Sequence, residues 1–374
     1  MKIAIVSLLV TNVWNFDHNL ILPLIRASPY FTNNSAEADW HIIDHGLPFG
    51  SDPYSARAIY AELERTYPPW NASKRFLLFH FCDHFVDCNY LGKDFRHEDP
   101  RYSPASPTRT VHHVVWNGRS DAHDGHCDAC FDPAKDIVVP TAHNACGPYC
   151  GSTKEELNRL AMWNAQSPRT LFGAHEYVRT WPKRPIQVFW AGQVPPHSVR
   201  DAKDDVSGRG LFYKLHHNRT DWMIRSTYNF AANTNRFLER SILEYMRDAN
   251  FCYSPPGHIG ADHDRYLPAL LTGCIPIIPK YVYQSKSKNA IHNPFEDIID
   301  WSRISILVDI DDMHRLPAIL AQANVESLRA HAHAVWRRML WTSVYGSELG
   351  EDASEDAIYS LLQVLEARLG VFKQ

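Results

Sequence analysis

The sequence predicts an α/β protein of two domains sharing a ligand cleft, and three observations carry that prediction. At 374 residues the chain exceeds a typical single domain. Short apolar runs alternate along it with amphipathic helical stretches, the pattern of strands and crossover helices packed in layers. Two of the apolar runs, one ending at Gly192 and one ending at Tyr253 before a Pro/Gly loop, read as the first strands of mononucleotide-binding units.

Composition bounds the function. Hydrophobic residues make up 45% and charged residues 21%, the balance of a soluble globular chain. The net charge of −4 offers no basic field, which argues against a nucleic-acid partner. No internal repeat or low-complexity tract is present. The apolar opening from Ile3 to Val10 is too short to span a bilayer and reads as a strand.

Taken in order, Trp40 to Ile43 is a second strand entered from a turn at Glu37 to Asp39. Lys74 to Cys82 is an apolar strand that empties into Asp83, placing a carboxylate at the carboxyl edge of a parallel sheet, where open α/β folds hold ligands. Asp83 suits a general base, with His84 and Asp87 next to it. The alternative is a carboxylate that caps the following helix. Ser152 to Trp163 has helical spacing, and Asn164 to Arg184, with prolines near its end, reads as the interdomain link. Ile186 to Gly192 is a strand closing on glycine. Ser241 to Asn250 is a helix that delivers the chain into Phe251.

The richest stretch begins FCYSPPGHIGADHDRYLPALLTGCIPIIPK. Asp262 is placed as a helix cap, Leu267, Leu270 and Leu271 form a buried stripe, and Gly273 supplies a left-handed stop. The N-terminal end of such a helix suits a phosphate, and Arg265 in its first turn adds a bidentate donor. The competing assignment pairs Arg265 with Asp262 or Asp264 on a solvated surface. Ile304 to Val308 is a last strand, followed by Asp309, Asp311 and Asp312. Asp-x-Asp after a strand is a way to hold a metal and a diphosphate. Here, however, Met313, Leu316, Ile319 and Leu320 follow at helical spacing, so the acids read as a cap and first turn. Glu326 to Trp341 and Asp356 to Leu369 close the chain as helices, the second stopping at Gly370, with Trp336 and Trp341 as packing anchors.

The residues Phe251-Cys252, Pro256-Gly257, Arg265-Tyr266-Leu267, Ala269-Leu270, Gly273 to Ile278, Pro294-Phe295, Asp300-Trp301 and Asp311-Asp312-Met313 together resemble the signature of exostosin-type glycosyltransferases. Weaker likeness extends through Trp70-Asn71 to Asp83 in the first half. The resemblance implies a GT-B fold of two facing Rossmann-like domains. Residues 1–180 would bind the acceptor, residues 185–340 the nucleotide sugar, and residues 341–374 would return as a helix to the first domain. It implies an inverting transfer from a nucleotide sugar, with a uridine-diphosphate sugar expected, to a glycan hydroxyl. No cofactor beyond the donor is required, and no metal. Gly192, Arg209, Pro256, Gly257 and Arg265 become the donor-binding residues, while Asp83 as the catalytic base rests on its place at the strand end, because not every relative carries an acid there. For Arg209 the competing assignment is a solvated arginine in a loop. Three residues after the arginine the family carries an acid suited to ribose, and this chain has Pro268. That departure keeps open a catalytically silent domain that binds a glycan or a partner. The Asp-x-Asp run keeps open a metal-dependent transferase.

Of the eight cysteines, Cys127, Cys130, Cys146 and Cys150 have zinc-like spacing but flank a stretch that resembles a strand, so structural zinc, disulfides and free thiols all stay open. Cys252 and Cys274 lie in apolar surroundings and are expected to be buried packing residues. Asn33, Asn71 and Asn218 head glycosylation sequons, which matter only in a secretory lumen. Many relatives are held in the Golgi by an N-terminal anchor, so the expectation is cytoplasmic for this chain alone and lumenal where an anchor precedes it.

Overall fold

The computed structural model describes residues 1–7, 16–44, 65, 75–80, 111–115, 118–121, 133–140, 184–192, 194, 208–226, 240, 242–256, 265–284, 287–347 and 351–372. Within them the apolar runs form two separate parallel sheets. β1 (Ile3–Ser7), α1 (Phe16–Ala27), β2 (Trp40–Asp44), β3 (Arg75–His80), β4 (Val111–Val115), β5 (Gly118–Asp121) and β6 (Ile137–Val138) make up the first half. Its sheet runs β1-β2-β3-β4-β6, all parallel, with Ile42 opposite Leu77 and Leu77 opposite His112.

The second half contributes β7 (Ile186–Gly192), α2 (Arg209–His216), β8 (Trp222–Ser226), α3 (Ile242–Arg247), β9 (Ala249–Tyr253), α4 (Tyr266–Thr272) and β10 (Ile275–Pro279). β11 (Tyr281–Gln284), β12 (Ser287–His292) and β13 (Ile306–Val308) follow. The sheet order is β13-β10-β9-β7-β8, again all parallel. α5 (Leu316–Gln322), α6 (Val325–Val335), α7 (Thr342–Tyr345) and α8 (Ala357–Phe372) complete the chain. The expected α/β class and its two parallel sheets are therefore present. A third, antiparallel sheet β11-β12-β5 joins a strand of the first half to a hairpin of the second.

Strand periodicity divides the second sheet between two cores. On β7, Val188 and Trp190 pack with Phe212 of α2 and with Leu316 and Leu320 of α5. Phe189 and Ala191, pointing the other way, pack with Leu243 of α3 and Leu267 of α4. Burial on both faces explains why the run reads as continuously apolar rather than alternating.

α8 ties the halves together. Trp40 Nε1 donates to the Leu365 carbonyl at 3.2 Å. The Arg368 guanidinium donates to the Lys135 and Asp136 carbonyls at 2.5 and 2.9 Å and grips both oxygens of Asp297 at 3.0 Å. Trp341, buried as an anchor, donates to the Pro140 carbonyl at 3.1 Å.

Several expectations need correction. Gly370 lies within α8 rather than ending it. α3 stops at Arg247, because the chain is already in β9 at Ala249 and pairs with Ile186. α6 ends at Val335 and tightens into a 3-10 turn, Trp336–Met339. Cys252 and Cys274 are buried as expected, but they form a disulfide with Cα atoms 5.7 Å apart. β9 and β10 are neighbouring parallel strands with Pro276 opposite Cys252, so the turn at Gly273 brings Cys274 alongside its partner. The helix expected over 152–163 and the cysteines at 127, 130, 146 and 150 lie outside the described residues.

Candidate functional site

The strand order of the second sheet marks its candidate site. From β7 the chain steps outward to β8, then crosses back to β9 on the other side of β7 and continues to β10 and β13. The order thus reverses between β7 and β9. At such a reversal the connecting loops part in opposite directions and leave a crevice beyond the carboxyl ends of the strands, which is where doubly wound sheets bind ligands.

Gly192 ends β7 at this point. A methyl group added there would stand 2.8 Å from Trp190 Cζ2 and 3.3 Å from Arg265 Nη2. The requirement for glycine is therefore close approach rather than an unusual backbone. Arg265 reaches the same spot from the cap position of α4, and its Nη1 donates to the Ala191 carbonyl at 2.7 Å. Gly192 and Arg265, far apart in sequence, are in this way brought together. α4 begins at Tyr266, later than expected. Arg265 itself occupies the cap position in place of Asp262, and no side chain caps the helix. Pro268 fits at the third helical position because a proline there gives up no internal hydrogen bond. It is buried, and as a proline it has no carboxylate to offer a ribose. Gly273 ends the helix at φ 65, as expected, and the following N–H of Cys274 returns to the Ala269 carbonyl at 2.9 Å.

Arg209 is the first residue of α2, a half-buried position preceded by Gly208 at φ 70. The Gly208 carbonyl accepts from Tyr253 Oη, at the end of β9, at 3.0 Å. A methyl group at Gly208 would stand 2.6 Å from Ile310 Cδ1 and 2.9 Å from Tyr253 Oη. Sequence reasoning missed Gly208. The signal was present as a glycine immediately before a helix-starting arginine, in a position where a side chain is excluded both by φ and by space. Pro256 is buried two residues after Ser254, whose N–H extends the sheet to the Ile277 carbonyl at 2.8 Å. Asp83, His84, Asp87 and Gly257 lie outside the described residues.

The rival acidic run is engaged locally. Asp309 caps a 3-10 turn, Ile310–Arg315, by accepting from the Asp311 N–H at 3.1 Å, and Asp312 accepts from Arg315 at 3.2 Å. These are the cap and first turn that the spacing predicts. Among the described residues no three His, Cys, Asp or Glu side chains converge as a metal would need, and no helix is long and apolar enough to cross a membrane.

Two parallel sheets, one reversing its order beside a strand-end glycine and an arginine, define an α/β protein of the kind that holds ligands at strand ends. Comparison with known proteins makes the class specific. Residues 10–323 match the Exostosin GT47 domain, and the chain belongs to this family of glycosyltransferases. Mouse Exostosin-like 1 is 23% identical over 301 residues, which cover 72% of this chain and 40% of that protein. A protein of Arabidopsis thaliana named "Probable glycosyltransferase" is 24% identical over 259 residues, covering 68% of this chain and 36% of that one. The chain thus spans about two fifths of the length of these curated relatives. Among solved structures, the GtfA/B complex superposes with a TM-score of 0.36 at 10% identity, covering 88% of this chain and 57% of that one.

Proposed function

We propose that this chain is an inverting glycosyltransferase of GT-B type that moves a sugar from a nucleotide-sugar donor, a uridine-diphosphate sugar in the first instance, to a hydroxyl of a glycan acceptor. The observation that carries the reading is the guanidinium of Arg265, bonded to the Ala191 carbonyl at 2.7 Å beside Gly192 at the switch point. Nη1 is held by the strand, which fixes the planar fork next to a stretch of backbone that has no side chain to keep a diphosphate away. Arg209, at the start of α2 on the same sheet edge, is the second cation, and Pro256 and Gly257 complete the donor loop.

In the proposed step Asp83 takes the acceptor hydroxyl proton and the acceptor oxygen forms a bond to the anomeric carbon. The bond from that carbon to the diphosphate oxygen breaks, its electron pair leaves with the nucleoside diphosphate, and the anomeric centre inverts. The charge that develops on the leaving group is met by the two guanidiniums, so no metal is called for. Residues 1–180 bind the acceptor and residues 185–340 the donor, while residues 341–374 brace the first domain. The Arg368 and Trp40 bonds to and from α8 support that bracing role. Disulfides persist in oxidising compartments, so the Cys252–Cys274 bond supports the lumenal setting over the cytoplasmic one.

The test is to incubate the chain with uridine-diphosphate sugars and a panel of oligosaccharides and to follow nucleotide release and product configuration by NMR. The expected product has the anomeric configuration opposite to the donor's, and Asp83→Asn lowers turnover by about 10²–10⁴-fold without weakening nucleotide binding. A product of retained configuration, or full turnover by Asp83→Asn, would overturn the mechanism. One observation favours a second reading: the buried Pro268 where an acid would meet the ribose. A chain that binds no nucleotide but does bind a glycan or protein partner would establish the silent module instead.

A further inference from the structure

α2 and α4 lie on opposite faces of the second sheet. Phe212 of α2 packs with Val188, Trp190 and Tyr253 in one core, and Leu267 of α4 packs with Phe189 and Ala191 in the other. Arg209 and Arg265, each at the start of its helix, therefore come to the carboxyl edge of the sheet from its two faces. Arg265 is fixed there by its own bond to the Ala191 carbonyl. The start of α2 is fixed differently, through the residue before Arg209.

That residue, Gly208, stands at φ 70. A glycine visits positive and negative φ about equally, so its conformation has to be set by its surroundings. Ile310 Cδ1, just past β13, and Tyr253 Oη, at the end of β9, fill the space that a Cβ would take, at 2.6 and 2.9 Å. Tyr253 Oη also donates to the Gly208 carbonyl at 3.0 Å in the interior. The same carbonyl accepts the Phe212 N–H at 3.1 Å, the first helical bond of α2. The hydroxyl bond is thus a second one to an oxygen that keeps its helical partner without it.

The Tyr253 ring makes contacts that a phenylalanine would make equally. It stacks on Phe212 with centroids 3.9 Å apart and planes 14° apart, and it meets Trp190 edge-on at 6.3 Å. What the hydroxyl adds is a link from the last residue of β9, just ahead of Ser254 and Pro256, to the residue before Arg209. α2 has only eight residues, and its other end is pinned by His216 Nε2, which donates to the Met313 carbonyl at 2.9 Å. A short helix pinned at its far end can tilt about that pin. The bond at Gly208 therefore decides where the first residue of α2 stands.

We propose that Tyr253 is a positioning residue for the sugar transfer: its hydroxyl, through the Gly208 carbonyl, sets the place of Arg209 and with it the grip on the donor's diphosphate. This role rests on Arg209 being the second donor cation, as in the proposed function. Tyr253 itself is buried and does not touch the donor. It acts through the backbone, and a guanidinium set at a fixed point meets a diphosphate without first having to be ordered.

Uridine diphosphate is titrated by NMR into the whole native chain, Tyr253→Phe, Arg209→Ala and the double variant. Tyr253→Phe keeps the stacked ring and is expected to fold and to bind about three- to tenfold more weakly than the native chain. In the Arg209→Ala background, removing the hydroxyl is expected to change affinity by less than about twofold, because no guanidinium remains to be placed. An equal loss in both backgrounds would overturn the proposal and make Tyr253 a structural residue only. Native affinity in Tyr253→Phe, with Arg209→Ala impaired, would overturn it and leave the donor site standing. Native affinity in Arg209→Ala, or no binding by the native chain, would overturn the role of Arg209 in the donor site and the proposal with it.

Discussion

Replacing Gly192 with alanine tests the crowding at the end of β7 directly. The backbone there is not left-handed, so alanine meets no conformational penalty and the cost is entirely steric. The new methyl group would stand 2.8 Å from Trp190 Cζ2, 3.2 Å from Trp190 Cε2 and 3.3 Å from Arg265 Nη2. The Trp190 ring is 1% exposed and packed edge-on against Phe212 and Tyr253 at 6.0 and 6.3 Å, so it has little room to yield. Overpacking of this kind costs about 1–3 kcal/mol. If the guanidinium moves instead, its bond to Ala191 is lost. A hydrogen bond to a charged group contributes about 1.5–3 kcal/mol, which amounts to a tenfold or larger loss of affinity for a diphosphate that depends on the arginine's position. The assay is paired: urea unfolding for stability and titration with uridine diphosphate for the site. Gly192→Ala is expected to lower the unfolding midpoint, to weaken binding by about tenfold, or both. A variant unchanged in both would refute the close approach of Trp190, Gly192 and Arg265.

Two further predictions concern stability. Burial pushes the His112 imidazole down to about 4, with the nearby Lys135, Arg368 and Arg75 charges adding to the effect and a bond to the Lys135 carbonyl opposing it. The folded state therefore resists a proton that the unfolded state accepts below about pH 6.5. Stability is full above that pH and falls as pH drops toward 4, by about 2–3 kcal/mol in all. Chemical unfolding at pH 7.5 and 4.5 measures the fall, and His112→Asn should flatten it relative to the native chain; an equal slope in the variant would refute the assignment. The Cys252–Cys274 bond spans 22 residues, and a loop of that length constrains the unfolded chain by about 3 kcal/mol. Cys252→Ala/Cys274→Ala should lower the melting temperature of the unreduced chain by several degrees, and an unchanged melting temperature would refute the contribution. Alkylation of both thiols in the unreduced native chain would contradict the bond.

What could be read from the sequence follows from the range of the forces involved. β7 and β10, the Gly273 stop and the Asp309 cap were legible because each is set by a local pattern: an apolar run, a left-handed residue, a carboxylate two residues before a free N–H. Strand order was not. The reversal between β7 and β9 arises from which strands pair, and nothing in a run of apolar residues states its neighbour. The disulfide escaped for the same reason, since Cys252 and Cys274 meet only because β9 lies beside β10. The start of α4 was misread because Asp262 is a good cap by type, while the chain turns into the helix only at Arg265. Arg265 stands out in the sequence as a donor at the start of the helix, but its bond to Ala191 depends on a contact across 74 positions.

Calorimetric titration of uridine diphosphate into the native chain and into Arg265→Ala, each with chelator present, bears most directly on the proposed donor site. The expected result is saturable binding by the native chain that persists in chelator and a loss of at least tenfold in the variant. Absence of binding by the native chain, or binding that disappears with chelator and is indifferent to Arg265, would contradict it.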